Sequence, residues 1–194
     1  MNEYILNISI DERFKKIFEL CSELMLKIVK LPKPVIAGVQ GIATAAGCQL
    51  VASCDLAIAS NNSKFATPGV NIGLFCSTPM VAVSRNVNRK QTMEMLLLGE
   101  FIPPLKAQEI GLINKIVSDK NLKEETIKMA KIIASKSPTT VAIGKEAFYK
   151  QLEMSMEEAY QYTSQVMSKN MLEKDAQEGI SAFIENRAPK WTDK

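Results

Sequence analysis

The stretch that decides the fold is Lys33–Ala59, KPVIAGVQGIATAAGCQLVASCDLAIA. Within it, Pro34–Val39 is a short apolar run, β-branched at Val35, Ile36 and Val39, and it predicts a buried strand. From Gly41 to Gly47 the side chains are almost all small. Cys48–Cys54 then predicts a short buried helix, and Asp55–Ala59 a second strand. A strand that empties through small residues into a helix lets a ligand come close to the backbone. It also aims unpaired N–H groups at that ligand. Such a device suits an anion, or an oxygen that gains negative charge during reaction. On spacing alone, a tight turn in which small residues only ease packing is an equal alternative.

Working outward, Ser9 and Glu12 have capping-box spacing, and Phe14, Ile17, Phe18, Cys21, Leu24, Met25 and Ile28 follow a helical period. Lys27 and Lys30 in the last turn, with Pro32 and Pro34 beyond, close a predicted amphipathic helix over Ile10–Lys30. After the central stretch, Lys64–Thr67 reads as extended and Pro68–Pro79 as a loop. Helices are predicted at about Thr78–Asn86 and Arg89–Leu98, the second with Met93, Leu96 and Leu97 inward. A helical turn over Leu105–Ile110 and a strand over Leu112–Val117 follow. Beyond Ser118 the pattern is helical only: Leu122–Lys136, Thr139–Leu152 behind Pro138, a helix opened by Ser155 with Glu158, and Asp175–Arg187. The expected division is a core over 1–118 and a helical region over 119–194.

Composition narrows the function. At 194 residues, 46% hydrophobic and 23% charged, the chain has the makeup of an ordinary globular protein. A net charge of +3 without basic runs or interleaved aromatics argues against nucleic acid as a partner. No apolar run reaches membrane-spanning length, and the N-terminus lacks a signal-peptide pattern. A cytoplasmic protein is expected, or one of the mitochondrial matrix if a targeting segment lies upstream. Cys21, Cys48, Cys54 and Cys76 lack C-x-x-C spacing, which favours reduced thiols over disulfides or metal ligands. The chain has no histidine, so Ser-His and Cys-His catalysis and imidazole bases are excluded. No metal site is expected.

The motifs ATAAGCQLVASCD (Ala43–Asp55), FATPGVNIGLFCSTP (Phe65–Pro79) and GKEAFYKQL (Gly144–Leu152) resemble the crotonase superfamily of enoyl-CoA hydratases and isomerases. The similarity runs from about Phe14 to Trp191. The resemblance implies an α/β fold in which β-β-α turns stack as a spiral, followed by a helical region that packs subunits into trimers or dimers of trimers. It implies binding of acyl-CoA thioesters in fatty-acid metabolism, with coenzyme A part of the substrate and no separate cofactor.

By the same resemblance, Ala46 matches the residue that gives one oxyanion-hole N–H. Ala43, Gly47, Phe75, Cys76 and Ser77 fall where relatives line the substrate pocket. The two glutamates of hydratases correspond to Gln49 and Gly69, neither of which can act as a base near neutral pH. The resemblance therefore implies an acyl-CoA-binding protein without ordinary hydration. Its rivals are an active superfamily enzyme of isomerase or thioesterase type, and a non-catalytic acyl-CoA sensor or assembly subunit.

Asp55 is a poor substitute base, since its equivalent in relatives with both glutamates is structural. For Cys76, a pocket-lining role is favoured over a nucleophilic one, because no cation or histidine lies near it in sequence. Asn71 and Gln40 are further polar candidates without an assigned role. Nothing here matches the S-S-G-H-D-L-like segment that in relatives supplies the second oxyanion N–H and part of the adenine pocket. The chain thus resembles about the C-terminal two-thirds of the family domain, and a partial spiral is expected to leave an apolar sheet edge exposed.

Overall fold

The computed structural model describes residues 9–192, so the reading of the extreme N-terminus concerns residues outside that range. Contacts divide the chain into two compact units. The first holds Ile36–Lys123 and the preceding helix as far as Val29; the second holds Lys30–Val35 and the chain from Glu124 onward.

The first unit opens with α1 (Ile10–Lys30), bounded as its apolar period and terminal lysines predict. Its cap is the anticipated one: Glu12 N–H donates to Ser9 Oγ at 3.2 Å, and Ser9 N–H donates to the Glu12 carboxylate at 3.0 Å. Of its apolar stripe, only Met25 and Ile28 are buried, while Phe14, Ile17 and Leu24 are exposed.

The chain then runs β1 (Ile36–Val39), β2 (Ile42–Thr44), α2 (Ala46–Ser53), β3 (Leu56–Ser60) and β4 (Lys64–Ala66). β1 pairs in parallel with β3, Val39 opposite Ala59, and β2 pairs in parallel with β4, Thr44 opposite Ala66. Each β-β-α turn therefore adds one strand to each of two sheets. A 3-10 turn at Pro68–Ile72 leads to α3 (Ser77–Val83), α4 (Arg89–Leu98), α5 (Pro104–Glu109) and β5 (Lys115–Val117). β5 completes a sheet of order β1-β3-β5. Both β1 and β2 end their sheets, and Ile42 on β2 is exposed, so the expected apolar edge is present.

Three differences from expectation have physical causes. The segment Gly41–Gly47 is more than a loop: Ile42–Thr44 forms β2, because the backbone of β4 supplies partners that no propensity announces. The helix expected from Cys48 begins at Ala46, two residues nearer the start of the small-residue run. On α4 the inward face is Thr92, Met95 and Leu96, and the expected Met93 and Leu97 are 41% and 56% exposed. The Thr92 hydroxyl turns that face inward by donating to the Val87 carbonyl at 3.0 Å. The core beneath these elements centres on Phe65, Val83 and Met95, with Val39, Ala43 and Cys48 from the opening turn.

The second unit is helical: α6 (Leu122–Ala134), α7 (Pro138–Gln151), α8 (Met156–Asn170) and α9 (Lys174–Ile184). Ser137 caps α7 ahead of Pro138, and Ser155 with Glu158 forms a complete capping box on α8. Beyond α9 the chain is held by Arg187, which makes two hydrogen bonds to the Glu178 carboxylate at 2.6 and 3.0 Å. Trp191 Nε1–H donates to the Ser135 carbonyl at 2.8 Å, and its ring edge comes within 3.5 Å of where a Cβ on Gly179 would stand. Among the described residues, no helix is long and apolar enough to cross a membrane.

Candidate functional site

The site grows from the junction between β2 and α2. Ala45 stands there with φ 48° and ψ −113°, a left-handed conformation that costs an alanine of order 1–3 kcal/mol. Two bonds hold it: its N–H donates to the Ala66 carbonyl at 3.0 Å, and its carbonyl accepts the Gln49 N–H at 3.0 Å. The turn so fixed sends the chain into α2 with the N–H groups of Ala46, Gly47 and Cys48 outside the helix's own bonding pattern. Among the described residues, none of the three donates a hydrogen bond to protein. Ala46 is exposed, and a Cβ built on Gly47 would meet nothing within 4 Å, so the approach to these groups is open.

Behind the open turn lies Gln49, 3% exposed. Its side-chain carbonyl oxygen accepts the Cys21 thiol of α1 at 3.7 Å, and its backbone carbonyl accepts the Ser53 hydroxyl at 2.8 Å. Cys48, on the same turn, is fully buried, and that burial, aided by the neighbouring Cys76, pushes its thiol up to about 12. It is a packing residue and not a nucleophile.

Gly69 lies on the 3-10 turn and is closed over by the following loop. Leu74 N–H donates to the Gly69 carbonyl at 2.9 Å, and Gly69 N–H donates to Cys76 Sγ at 3.4 Å. A Cβ at position 69 would stand 2.1 Å from the Leu74 carbonyl oxygen and 2.9 Å from Cys76 Sγ. Backbone occupies the place of a side chain. The glycine is therefore required by close approach, and not by a positive φ.

The remaining candidates are scattered. Ala43 packs into the core from β2, and Cys76, 7% exposed, turns its sulfur beneath Gly69. Phe75 and Ser77 are exposed on either side of it. The Asn71 amide is spent on the Gly99 carbonyl at 3.2 Å, and Gln40 is exposed at the end of β1. Asp55 is half-buried and engaged with neighbours.

A cavity of about 100 Å³ opens elsewhere in the first unit, between α4 and α5, lined by Met95, Leu98, Ile102 and Lys106 among others. It includes none of the anticipated site residues. Among the described residues, no group of three or more Cys, Asp or Glu side chains is placed to hold a metal ion. Two features escaped the sequence: Cys21, which reaches Gln49 from 28 residues away, and the Leu74 carbonyl over Gly69. A thiol on a helical stripe and a main-chain oxygen carry no signal of such contacts.

Comparison with known proteins places this arrangement. Residues 10–194 match the family model for enoyl-CoA hydratase/isomerase. The rat mitochondrial enoyl-CoA hydratase domain-containing protein 3 is 54% identical over 177 residues, which cover 91% of this chain and 59% of that protein. The chain thus spans about six-tenths of the length of these curated relatives. Among solved structures, the human enoyl coenzyme A hydratase domain-containing protein 3 shares 53% identity at a TM-score of 0.89, covering 92% of this chain and 70% of that one. An enoyl-CoA hydratase of Mycobacterium smegmatis shares 48% identity at a TM-score of 0.92, covering 98% of this chain and 74% of that one.

The named rat relative and its counterparts are mitochondrial proteins, which overturns the expectation of a cytoplasmic one. The cause of the error is physical: nothing in a folded core reports the compartment. With β-β-α turns, an open sheet edge and a helical C-terminal region matching those structures nearly end to end, the chain belongs to the enoyl-CoA hydratase/isomerase family, the crotonase superfamily.

Proposed function

We propose that this chain holds the thioester carbonyl of an acyl-CoA at the N-terminal turn of α2 and does not carry out ordinary hydration. The observation that supports binding is the open turn at Ala45, with the N–H groups of Ala46, Gly47 and Cys48 left free of protein partners among the described residues. Donors placed in advance where a carbonyl oxygen gathers charge are what a thioester enolate requires. Against hydration stand the two positions that in hydratases carry glutamates. Gln49 is an amide, and Gly69 has no room for a side chain. Each missing carboxylate is worth roughly 10²–10⁴-fold in proton transfer.

Two measurements test this. Isothermal titration with acetyl-CoA and a longer acyl-CoA is expected to show saturable binding, and absence of heat with both would remove the reading. Turnover of crotonyl-CoA is expected to fall at least 100-fold below that of a hydratase carrying both glutamates, roughly the effect of losing one general acid or base. Turnover within tenfold would mean that the acid and base lie elsewhere.

A second reading is an active superfamily enzyme of isomerase or thioesterase type, and one finding favours it. The Mycobacterium smegmatis structure, at 48% identity and a TM-score of 0.92, carries the name of an enzyme. Turnover across a panel of acyl-CoA thioesters decides between that reading and a non-catalytic acyl-CoA sensor or assembly subunit. In either case the chain is proposed to work in the mitochondrion and to self-associate. Met156, Tyr160, Phe183 and Ile184 are exposed on α8 and α9, and apolar groups so placed on helices suit a subunit interface. Sedimentation equilibrium is expected to give a trimer or a dimer of trimers.

A further inference from the structure

The cavity between α4 and α5 has walls from three separate stretches of the first unit, none of them at the turn of α2. Glu94 and Met95 face it from α4. That helix ends at Gly99, whose φ of 62° turns the chain, and Glu100 and Ile102 form a second wall. The second wall is fixed to the core: Ile102 N–H donates to the Phe65 carbonyl at 2.9 Å, and Phe65 N–H donates to the Ile102 carbonyl at 3.1 Å. Lys106 on α5 and Ile110 at its C-cap, one helical turn apart, form the third.

The floor is apolar and the rim is charged. Met95 and Ile110 are buried and Ile102 is half-buried, whereas Glu94 and Glu100 are exposed and Lys106 is half-buried. Among the described residues, none of these three charged side chains makes a hydrogen bond or an ion pair, so Lys106 satisfies neither carboxylate. The cavity measures about 100 Å³. Since about 150 Å³ admits benzene, this volume holds an aliphatic group of about four carbons. The charges decide what that group carries. A simple carboxylic acid would bring its anion toward two carboxylates, and a simple amine would leave the Lys106 ammonium without a partner. A molecule with an ammonium, a carboxylate and a short branched aliphatic body answers all three walls.

We propose that this cavity binds a free α-amino acid with a branched aliphatic side chain, such as leucine. Its ammonium faces Glu94 and Glu100, its carboxylate faces Lys106, and its side chain lies on Met95, Ile102 and Ile110. None of these residues belongs to the turn at α2 or to the loop over Gly69, so the site stands apart from the acyl-CoA reading.

The test is an NMR titration of the full chain, labelled at isoleucine and methionine methyl groups, with leucine. The Met95, Ile102 and Ile110 resonances are expected to move together and to saturate with a dissociation constant of about 0.1–5 mM. The resonance of Ile58, fully buried on β3, is expected to stay in place. Isocaproate, which lacks the ammonium, and isopentylamine, which lacks the carboxylate, are each expected to bind at least about 5-fold more weakly, a charged hydrogen bond being lost. Glycine, which lacks the side chain, is expected to leave all three resonances unmoved. No movement with leucine, or binding of either analogue as tightly as leucine, would overturn the proposal.

Charge variants at the rim carry the test into the protein, and the Ile58 resonance reports that each variant folds. Lys106→Met is expected to make leucine and isopentylamine bind alike. Glu94→Gln combined with Glu100→Gln is expected to make leucine and isocaproate bind alike. A preference for leucine that survives in either variant would overturn the placement of its charged ends.

Discussion

The turn at Ala45–Gln49 and the turn at Pro68–Cys76, proposed above as the two positions that carry glutamates in hydratases, differ in what surrounds them. Around position 49 there is a complete side chain, hydrogen-bonded through its oxygen and close in shape to glutamate. Around position 69 there is backbone: the Leu74 carbonyl oxygen would be 2.1 Å from any Cβ. A carboxylate could be placed in the first region by exchanging one atom, whereas the second region would have to be rebuilt. The obstacle to a carboxylate is thus local at one position and architectural at the other.

The sharpest way to break that comparison is Gly69→Glu. Overpacking costs typically 1–3 kcal/mol and more where backbone must move, so a loss of about 3 kcal/mol or greater is expected. Denaturant unfolding reads it as a lowered midpoint at unchanged slope. A loss below about 1 kcal/mol would mean that the loop yields freely and that the two regions are alike.

Gln49→Glu is the companion, with an expected cost of about 1–2 kcal/mol at neutral pH from burying a charge. Burial raises the folded-state pKa of such a carboxyl above its unfolded value. The native state then holds the proton more tightly, so the penalty vanishes below about pH 4 and grows as pH rises. A penalty independent of pH would show that the new carboxyl is solvated, and that position 49 is more open than its burial indicates.

Ala45→Gly probes the strain that opens the first region. Glycine adopts φ 48° without the clash that an alanine bears, so a gain of about 1 kcal/mol is expected, with ligand affinity retained. A loss of stability would mean that the turn is relaxed as it stands.

How much of this the sequence discloses varies by region. α1 and α4 have the bounds that their apolar periods and flanking residues predict, and Ser9 and Ser155 cap where their spacing says. Local signals suffice where bonding is local. β2 was invisible because Ile42–Thr44 is a strand only by virtue of β4, and its own Gly- and Ala-rich flanks read as a turn. The inward face of α4 was misplaced for a related reason: Thr92 looks polar in sequence, but its hydroxyl is satisfied by Val87.

In the site, the residue types at 49 and 69 and the position of Ala46 at the helix start were legible. The reason that 69 must be glycine was not, because it depends on a main-chain oxygen five residues on.

The smallest expected effect lies in the second unit, where the comparison between local and architectural change can be repeated on a surface ion pair. Arg187, and the Lys190 N–H beside it, draw the Glu178 carboxyl down from 4.5 to about 2. Its contribution is therefore complete above about pH 4.5 and is lost as pH falls toward 2. Trp191 is the only tryptophan, so its fluorescence reports the release of the tail directly. Acidification, or Glu178→Gln at neutral pH, is expected to shift that emission while the helical signal barely changes. An emission unmoved by both would show that Trp191 is held by Ser135 and Gly179 without help from the ion pair.

The Leu74 carbonyl has a consequence for descent as well as for chemistry. A glycine codon can lie a single base from glutamate, and so can a glutamine codon, so the genetic distance to a paired carboxylate is short at both positions. The accessible paths are nonetheless unequal. At 49 the step to glutamate exchanges one atom and moves no backbone. At 69 the same step meets the Leu74 oxygen at 2.1 Å and produces a destabilised chain, unless the loop through Cys76 has moved first. The loop thereby makes the order of changes matter: a side chain at 69 needs the loop to move first, whereas one at 49 does not.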